Sequence, residues 1–170
     1  MTETRHITVK QVLLVLFRIL FTAFALYTVY FIFRNSLEAG AVSSLRSNEA
    51  TGTINHMLTA LGMKPLTTAV VRKLAHFGEF LVLGFWFTLC LRVYTRHYIR
   101  HISWPLLLGL LIADADELIQ LYVAGRDSSV RDVWIDFGGV CTGVGCTLIL
   151  LLLFGAIWYL LGFGRHKQMA

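Results

Sequence analysis

Four apolar stretches, each long enough to cross a bilayer, constrain this chain more than any other feature. A spanning helix takes about 20 mostly apolar residues rising 1.5 Å each. The stretches run from about Val12 to Phe33, Leu74 to Tyr94, Trp104 to Val123 and Val130 to Leu161. Arg18 enters the first, but close enough to its start for the side chain to snorkel. Pro105 falls in the first turn of the third, where a missing N–H costs little. The fourth is about 48 Å long as a helix, so it must tilt, break or project. The first follows a basic start (Arg5, Lys10), and Ala23-Phe24-Ala25 has the look of a cleavage pattern. Its apolar run nevertheless exceeds the roughly 7–15 residues of a signal-peptide core, so it reads as a retained helix. The expected fold is all-α: residues 1–170 form a single membrane domain, a bundle of four transmembrane helices. A short surface helix is expected in the first extracytoplasmic loop, where Ile54, Met57, Leu58 and Leu61 fall at helical spacing.

Charge and composition agree with a lipid solvent. Charged residues make up 15% of the chain, against about 25% in soluble domains. The net charge of +5 fits basic loops on anionic headgroups, and no basic run with interleaved aromatics points to nucleic acid. Cys90, Cys141 and Cys146 lie in apolar stretches, form no C-x-x-C pair, and read as small buried hydrophobes. Basic residues divide evenly between the two sides. Arg5, Lys10, Arg92, Arg96, Arg100, Arg165 and Lys167 face Arg34, Arg46, Lys64, Arg72, Lys73, Arg126 and Arg131. The carboxylates crowd the second side, which places both termini in the cytoplasm.

The charges inside the apolar segments carry the functional signal. Lys73, His76 and Glu79 share a face where the second span opens. The third span ends in Asp114, Asp116, Glu117 and Gln120, and Arg126 follows in a short connector. Asp132, Asp136, Gly139 and Gly143 form a stripe on the fourth. Helix direction brings these groups to one level in the outer half of the bilayer. A charge at the bilayer centre costs about 2.5–3.5 kcal/mol on insertion scales, so they must face each other or a wet cavity. The candidate ligand-binding set is therefore Lys73, His76, Glu79, Asp116, Glu117, Gln120, Arg126, Asp132 and Asp136. Several chemistries remain open. Clustered carboxylates with His76 as shuttle suit proton transfer. The same groups suit a divalent metal, although no H-E-x-x-H spacing is present. Arg126, Arg131 and Lys73 suit a lipid phosphate. Structural roles compete with these. Arg126 could pair with Asp116 or Glu117 to lock helices, and Ser129-x-x-Asp132 reads as a capping box. Gly139-x-x-x-Gly143 admits a close helix, in this chain or in a homo-oligomer. No nucleophile elbow, P-loop or dinucleotide-binding glycine pattern occurs, and neither catalysis nor a cofactor follows from the residues.

These motifs resemble the VanZ-like family of small bacterial membrane proteins. Its K-x-x-H-x-x-[EY] pattern matches Lys73, His76 and Glu79, and its D-E-x-x-Q pattern matches Asp116, Glu117 and Gln120. The G-R-x-x-S connector matches Gly125, Arg126 and Ser129. The D-x-x-x-N-x-x-G-x-x-x-G block matches Asp132, Gly139 and Gly143, with Asp136 standing where the family has Asn. The resemblance covers about Arg34 to Leu150. It implies a multi-pass protein of the bacterial cell membrane, in a family named for a member linked to teicoplanin resistance in glycopeptide-resistance gene clusters. The expected function is that of a VanZ-like cell-envelope protein linked to glycopeptide resistance. Its outer-leaflet site would bind or modify a lipid-linked or amphiphilic ligand, such as a polyprenyl-phosphate-type lipid or a lipoglycopeptide. The alternatives are a membrane hydrolase or transferase using the acidic cluster, and a structural or transporter subunit whose charges only lock helices.

Overall fold

The structure, a computed structural model, describes residues 8–161. Among these residues the chain forms five helices and no strand: α1 (Val9–Ser36), α2 (Gly40–Ala60), α3 (Thr68–Tyr94), α4 (Ser103–Leu121) and α5 (Val130–Leu160). Local chemistry sets the ends. Gln11 reaches back to accept from the Thr8 N–H at 2.9 Å where α1 begins. Gly62, with φ of 72°, turns the chain out of α2. Asn55 then pins the returning strand of chain, donating to the Leu66 carbonyl at 2.9 Å and accepting from its N–H at 2.7 Å. Thr67 accepts from the Val70 N–H at the start of α3, and Ser129 from the Arg131 N–H at the start of α5.

Helix α3 is the hub. It packs most extensively against α5, next against α1, while α4 packs chiefly on α5. The buried apolar core takes Ile32 from α1, Phe80 and Leu83 from α3, Ala113 from α4, and Val140 and Val144 from α5. Small residues allow the α3–α5 contact to be this close. A methyl group at Gly139 would sit 2.4 Å from the Phe77 carbonyl oxygen, and one at Gly143 would sit 2.0 Å from that of Leu81. From the other side, a methyl at Gly84 would lie 2.3 Å from the Val140 carbonyl oxygen. The Gly139-x-x-x-Gly143 stripe is thus used within the chain, and it no longer supports a homo-oligomer.

Three expectations need correction. Only α1, α3 and α5 are long and apolar enough to cross a membrane, not four helices. Helix α4 falls short because Asp114, Asp116 and Glu117 occupy its C-terminal part. Its uninterrupted apolar length, from Ser103 to Ala113, is only about 16 Å. The helix in the first loop is also not short: α2 has 21 residues. Ile54 and Met57 on it and Leu61 just beyond it are exposed, whereas its buried positions are Gly40, Ser43 and Thr51. Last, Cys141 and Cys146 lie on the exposed face of α5 and Cys90 is half-buried, all as free thiols. The core of α5 is taken by Gly139, Val140, Gly143 and Val144 instead.

Exposed large apolar residues run along α1 from Val12 to Phe31 and along α5 from Ile149 to Leu160. A water-soluble chain does not leave such surfaces bare; lipid accounts for them.

Candidate functional site

Four helix ends meet at one end of the bundle: the C-termini of α1 and α4 and the N-termini of α3 and α5. Each helix delivers polar groups there one or two turns from its end, so buried side chains can reach backbone groups that the helices leave unsatisfied.

Asp116 lies at the centre and is fully buried. Its Oδ1 accepts from the Ser36 hydroxyl at the end of α1. Its Oδ2 accepts from Gln120 Nε2 at 2.8 Å, one turn later on α4. His76 Nδ1 stands 3.9 Å from the same Oδ2. Asp136 of α5 completes the group: one ligand atom each from His76, Asp116 and Asp136 lies within 4.8 Å of the others. Asp136 is 1% exposed, yet neither of its carboxylate oxygens has a hydrogen-bond partner. These three residues could hold a metal ion.

The remaining expected residues divide by task. Glu79 accepts from Asn35 Nδ2 at 3.0 Å through Oε1, while Oε2 is buried without a partner. Glu117 is a helix-holding residue. Its Oε2 accepts from the Ser129 N–H at 2.8 Å, and its backbone carbonyl accepts from the Ser128 hydroxyl at 2.9 Å. Lys73 Nζ pairs with Asp132 Oδ1 at 2.5 Å. Asp132 therefore does not complete a capping box with Ser129, whose hydroxyl accepts from the Arg131 N–H at 3.2 Å. Its place in the first turn of α5 still suits the helix dipole.

Arg126 pairs with neither Asp116 nor Glu117. Its Nε donates to the Glu38 carbonyl at 3.1 Å and its Nη2 to the Asn35 carbonyl, so it closes the frayed end of α1. Burial, with Arg72 nearby, pushes its guanidinium below the ordinary value. The clamp requires a tight turn. Gly125 has φ of 74° and lies against Gly40, whose N–H donates to the Ala124 carbonyl at 3.0 Å. A methyl group at Gly40 would sit 1.8 Å from the Gly125 oxygen.

Two cavities flank His76. One, of about 160 Å³, is lined by Arg72, Lys73, His76, Gln120, Asp132 and Asp136 among others. The second, of about 270 Å³, is lined by Asn35, Arg46, Arg72, His76, Glu79 and Arg126 among others. Beside it an apolar groove of about 520 Å³ runs between Phe24, Tyr27, Phe31, Val82 and Trp86, and shares Phe31 and Glu79 with the second cavity. Four contributors had escaped the sequence reading: Asn35, Ser36, Arg46 and Arg72. Asn35 and Ser36 end the first apolar run as two adjacent small polar residues, which was the available signal. Arg46 is placed only by the packing of α2, where it pairs with Glu38 at 2.9 Å.

Fold and site together define a helical membrane protein with a buried polar centre at one end of its bundle. The sequence model of the VanZ/LLP1 family matches residues 9–159. The chain belongs to that family, and the match extends beyond the resembling motifs to include α1 and nearly all of α5. No curated protein and no solved structure matches it.

Proposed function

We propose that this VanZ-family protein binds the charged head of a membrane amphiphile, with the lipid tail along the α1–α3 groove. One observation carries the proposal: the apolar groove and the basic cavity share Phe31 and Glu79. An amphiphile needs such a junction, with aromatic walls for a chain and guanidinium groups for an anion. Arg126 in the head cavity is already engaged with backbone carbonyls, and Lys73 in the adjoining cavity with Asp132. Arg72 lines both cavities and forms no ion pair among the described residues, which favours it as the principal anion contact. A polyprenyl-phosphate-type lipid or a lipoglycopeptide fits this description, and a link to teicoplanin resistance belongs to the same proposal. So does a bacterial envelope location.

The test is native mass spectrometry of the chain in nanodiscs doped with undecaprenyl phosphate or undecaprenol. Wild type and Arg92→Ala should retain the phosphate-bearing lipid over the alcohol, and Arg72→Ala should lose that preference by about tenfold, the loss of one charge-assisted contact. Equal retention by all three proteins, or no preference for the phosphate, sinks the proposal.

A second reading, hydrolysis or group transfer, is favoured by one feature: the unpartnered Asp136 beside His76. Catalytic groups are often left unsatisfied until substrate arrives. It would assign the chemistry to those residues rather than to Glu117, which is occupied in holding α5.

A further inference from the structure

We infer that His76, Asp116 and Asp136 form a binding site for one divalent metal ion of the zinc or manganese class. A carboxylate taken out of water without a hydrogen bond or counter-charge costs several kcal/mol. Asp136 is 1% exposed and both its oxygens lack a partner. Lys73, which lines the same cavity, is already paired with Asp132 at 2.5 Å. A bound cation would satisfy it, as would a proton or water in the adjoining cavity.

Geometry favours the cation. Three side chains from three different helices converge, each presenting one ligand atom, all within 4.8 Å of one another. Around an ion with bonds near 2.1 Å, neighbouring ligand atoms lie about 3–3.5 Å apart. The 3.9 Å between His76 Nδ1 and Asp116 Oδ2 is a few tenths of an ångström from that, and an ion would have to draw the widest pair, at most 4.8 Å apart, closer by about 1 Å. An imidazole nitrogen with two carboxylate oxygens suits zinc or manganese better than calcium, which prefers oxygen alone. Metal sites also need outer partners that orient the ligands. Asp116 has them: Ser36 and Gln120 each donate to one of its oxygens. His76 and Asp136 line the cavity of about 160 Å³, so the remaining coordination positions would open onto a space large enough for water or an anionic oxygen. The inference does not rest on the amphiphile reading.

The test uses the full chain, purified in detergent, stripped with EDTA and dialysed. Zinc chloride is titrated by calorimetry, and manganese is followed by electron paramagnetic resonance. Wild type and Asp114→Asn, which changes an exposed carboxylate on α4, should bind one ion per chain at the same affinity. His76→Ala and Asp136→Asn should weaken that binding by at least about 100-fold, and Ser36→Ala, which removes an outer partner, by about 10-fold. Thermal unfolding separates binding from misfolding. Asp136→Asn is nearly isosteric and removes a lone buried charge, so its metal-free melting temperature should equal or exceed that of wild type. Zinc should raise the melting temperature of wild type and not of the variant. A folded wild type that binds no ion means that a proton or water satisfies Asp136. Binding that persists in Asp136→Asn and His76→Ala means adventitious ions on surface histidines. Either result overturns the inference.

Discussion

At the end where α1 and α4 finish and α3 and α5 begin, side chains tie one helix to the backbone of another. Arg126 holds the carbonyls of Asn35 and Glu38 at the end of α1, and Glu117 holds the Ser129 N–H just before α5, while Ser36 joins Asp116 side chain to side chain. At the opposite end such ties are few among the described residues. Arg18 reaches the Val93 carbonyl at 3.0 Å and lies over the Tyr94 ring, and Thr22 meets the Tyr94 hydroxyl at 3.1 Å. Aromatic contacts also lie toward that end, such as Phe24 stacked on Trp86 with ring centres 4.6 Å apart. The last turns of α5 are almost wholly exposed. Hydrogen bonds to backbone fix register and angle, while apolar surface in lipid fixes neither. The polar end therefore holds its groups in fixed relation to one another, as a binding site requires, while the apolar end serves chiefly as an anchor in lipid.

Between the two ends lies the α3–α5 seam, and the largest mutational effect is expected there. A leucine at Gly143 must displace the Leu81 carbonyl, which a methyl group alone would approach to 2.0 Å. Overpacking against backbone should destabilise by about 3 kcal/mol or more. The matched control is Gly155→Leu on the free half of α5, where a methyl group meets nothing within 4 Å. Thermal unfolding in one detergent should show a large drop for the first and almost none for the second. Similar drops would mean that the seam is not where the helices are held.

The contrast between the ends also explains what the sequence revealed. Charges in apolar segments are costly enough that their spacing announces a shared site, and Lys73, His76, Glu79, Asp116, Gln120 and Asp136 do line or fill the same polar region. The glycine stripe likewise announced a close helix contact. Their individual partners were not legible. Arg126 looks like an ion-pairing residue, yet it binds carbonyls, because which acceptor it reaches depends on where α1 ends in space. Glu117 reads as one of the ligand-binding acids, because a carboxylate beside an Asp carries no mark distinguishing a helix-holding group from a ligand-facing one. The length of α2 was hidden by its weak apolar pattern, and hydropathy overrated α4 because its apolar half outweighs three carboxylates in a simple reading.

Arg126→Ala should give the next largest effect. The substitution frees the carbonyls of Asn35 and Glu38 in a partly buried place, at about 2 kcal/mol for hydrogen bonds to a charged donor. Asn35 also donates to Glu79, so loosening the end of α1 should disturb the head cavity as well. Arg18→Ala, which loses one carbonyl contact and a ring contact at the other end, should cost less. Hydrogen–deuterium exchange should show faster opening at residues 35–40 in Arg126→Ala, and no such change in Arg18→Ala. Equal protection in both variants would remove the distinction between the two ends.

The smallest effect is expected at the Lys73–Asp132 pair, whose side chains are 44% and 27% exposed. A partly solvated pair of this kind contributes under about 1 kcal/mol, because water screens the charges and two side chains lose freedom. A double-mutant cycle with Lys73→Ala and Asp132→Ala, read by thermal unfolding, isolates the coupling. The coupling should fall further when salt is raised, since exposed charges are screened. A coupling well above 1 kcal/mol that ignores salt would place the pair in a drier setting than its exposure indicates, as lipid headgroups or a bound amphiphile closing the cavity mouth would produce. The polar end would then be sealed in use, and Lys73 would belong with the buried groups around Asp136 rather than with the rim.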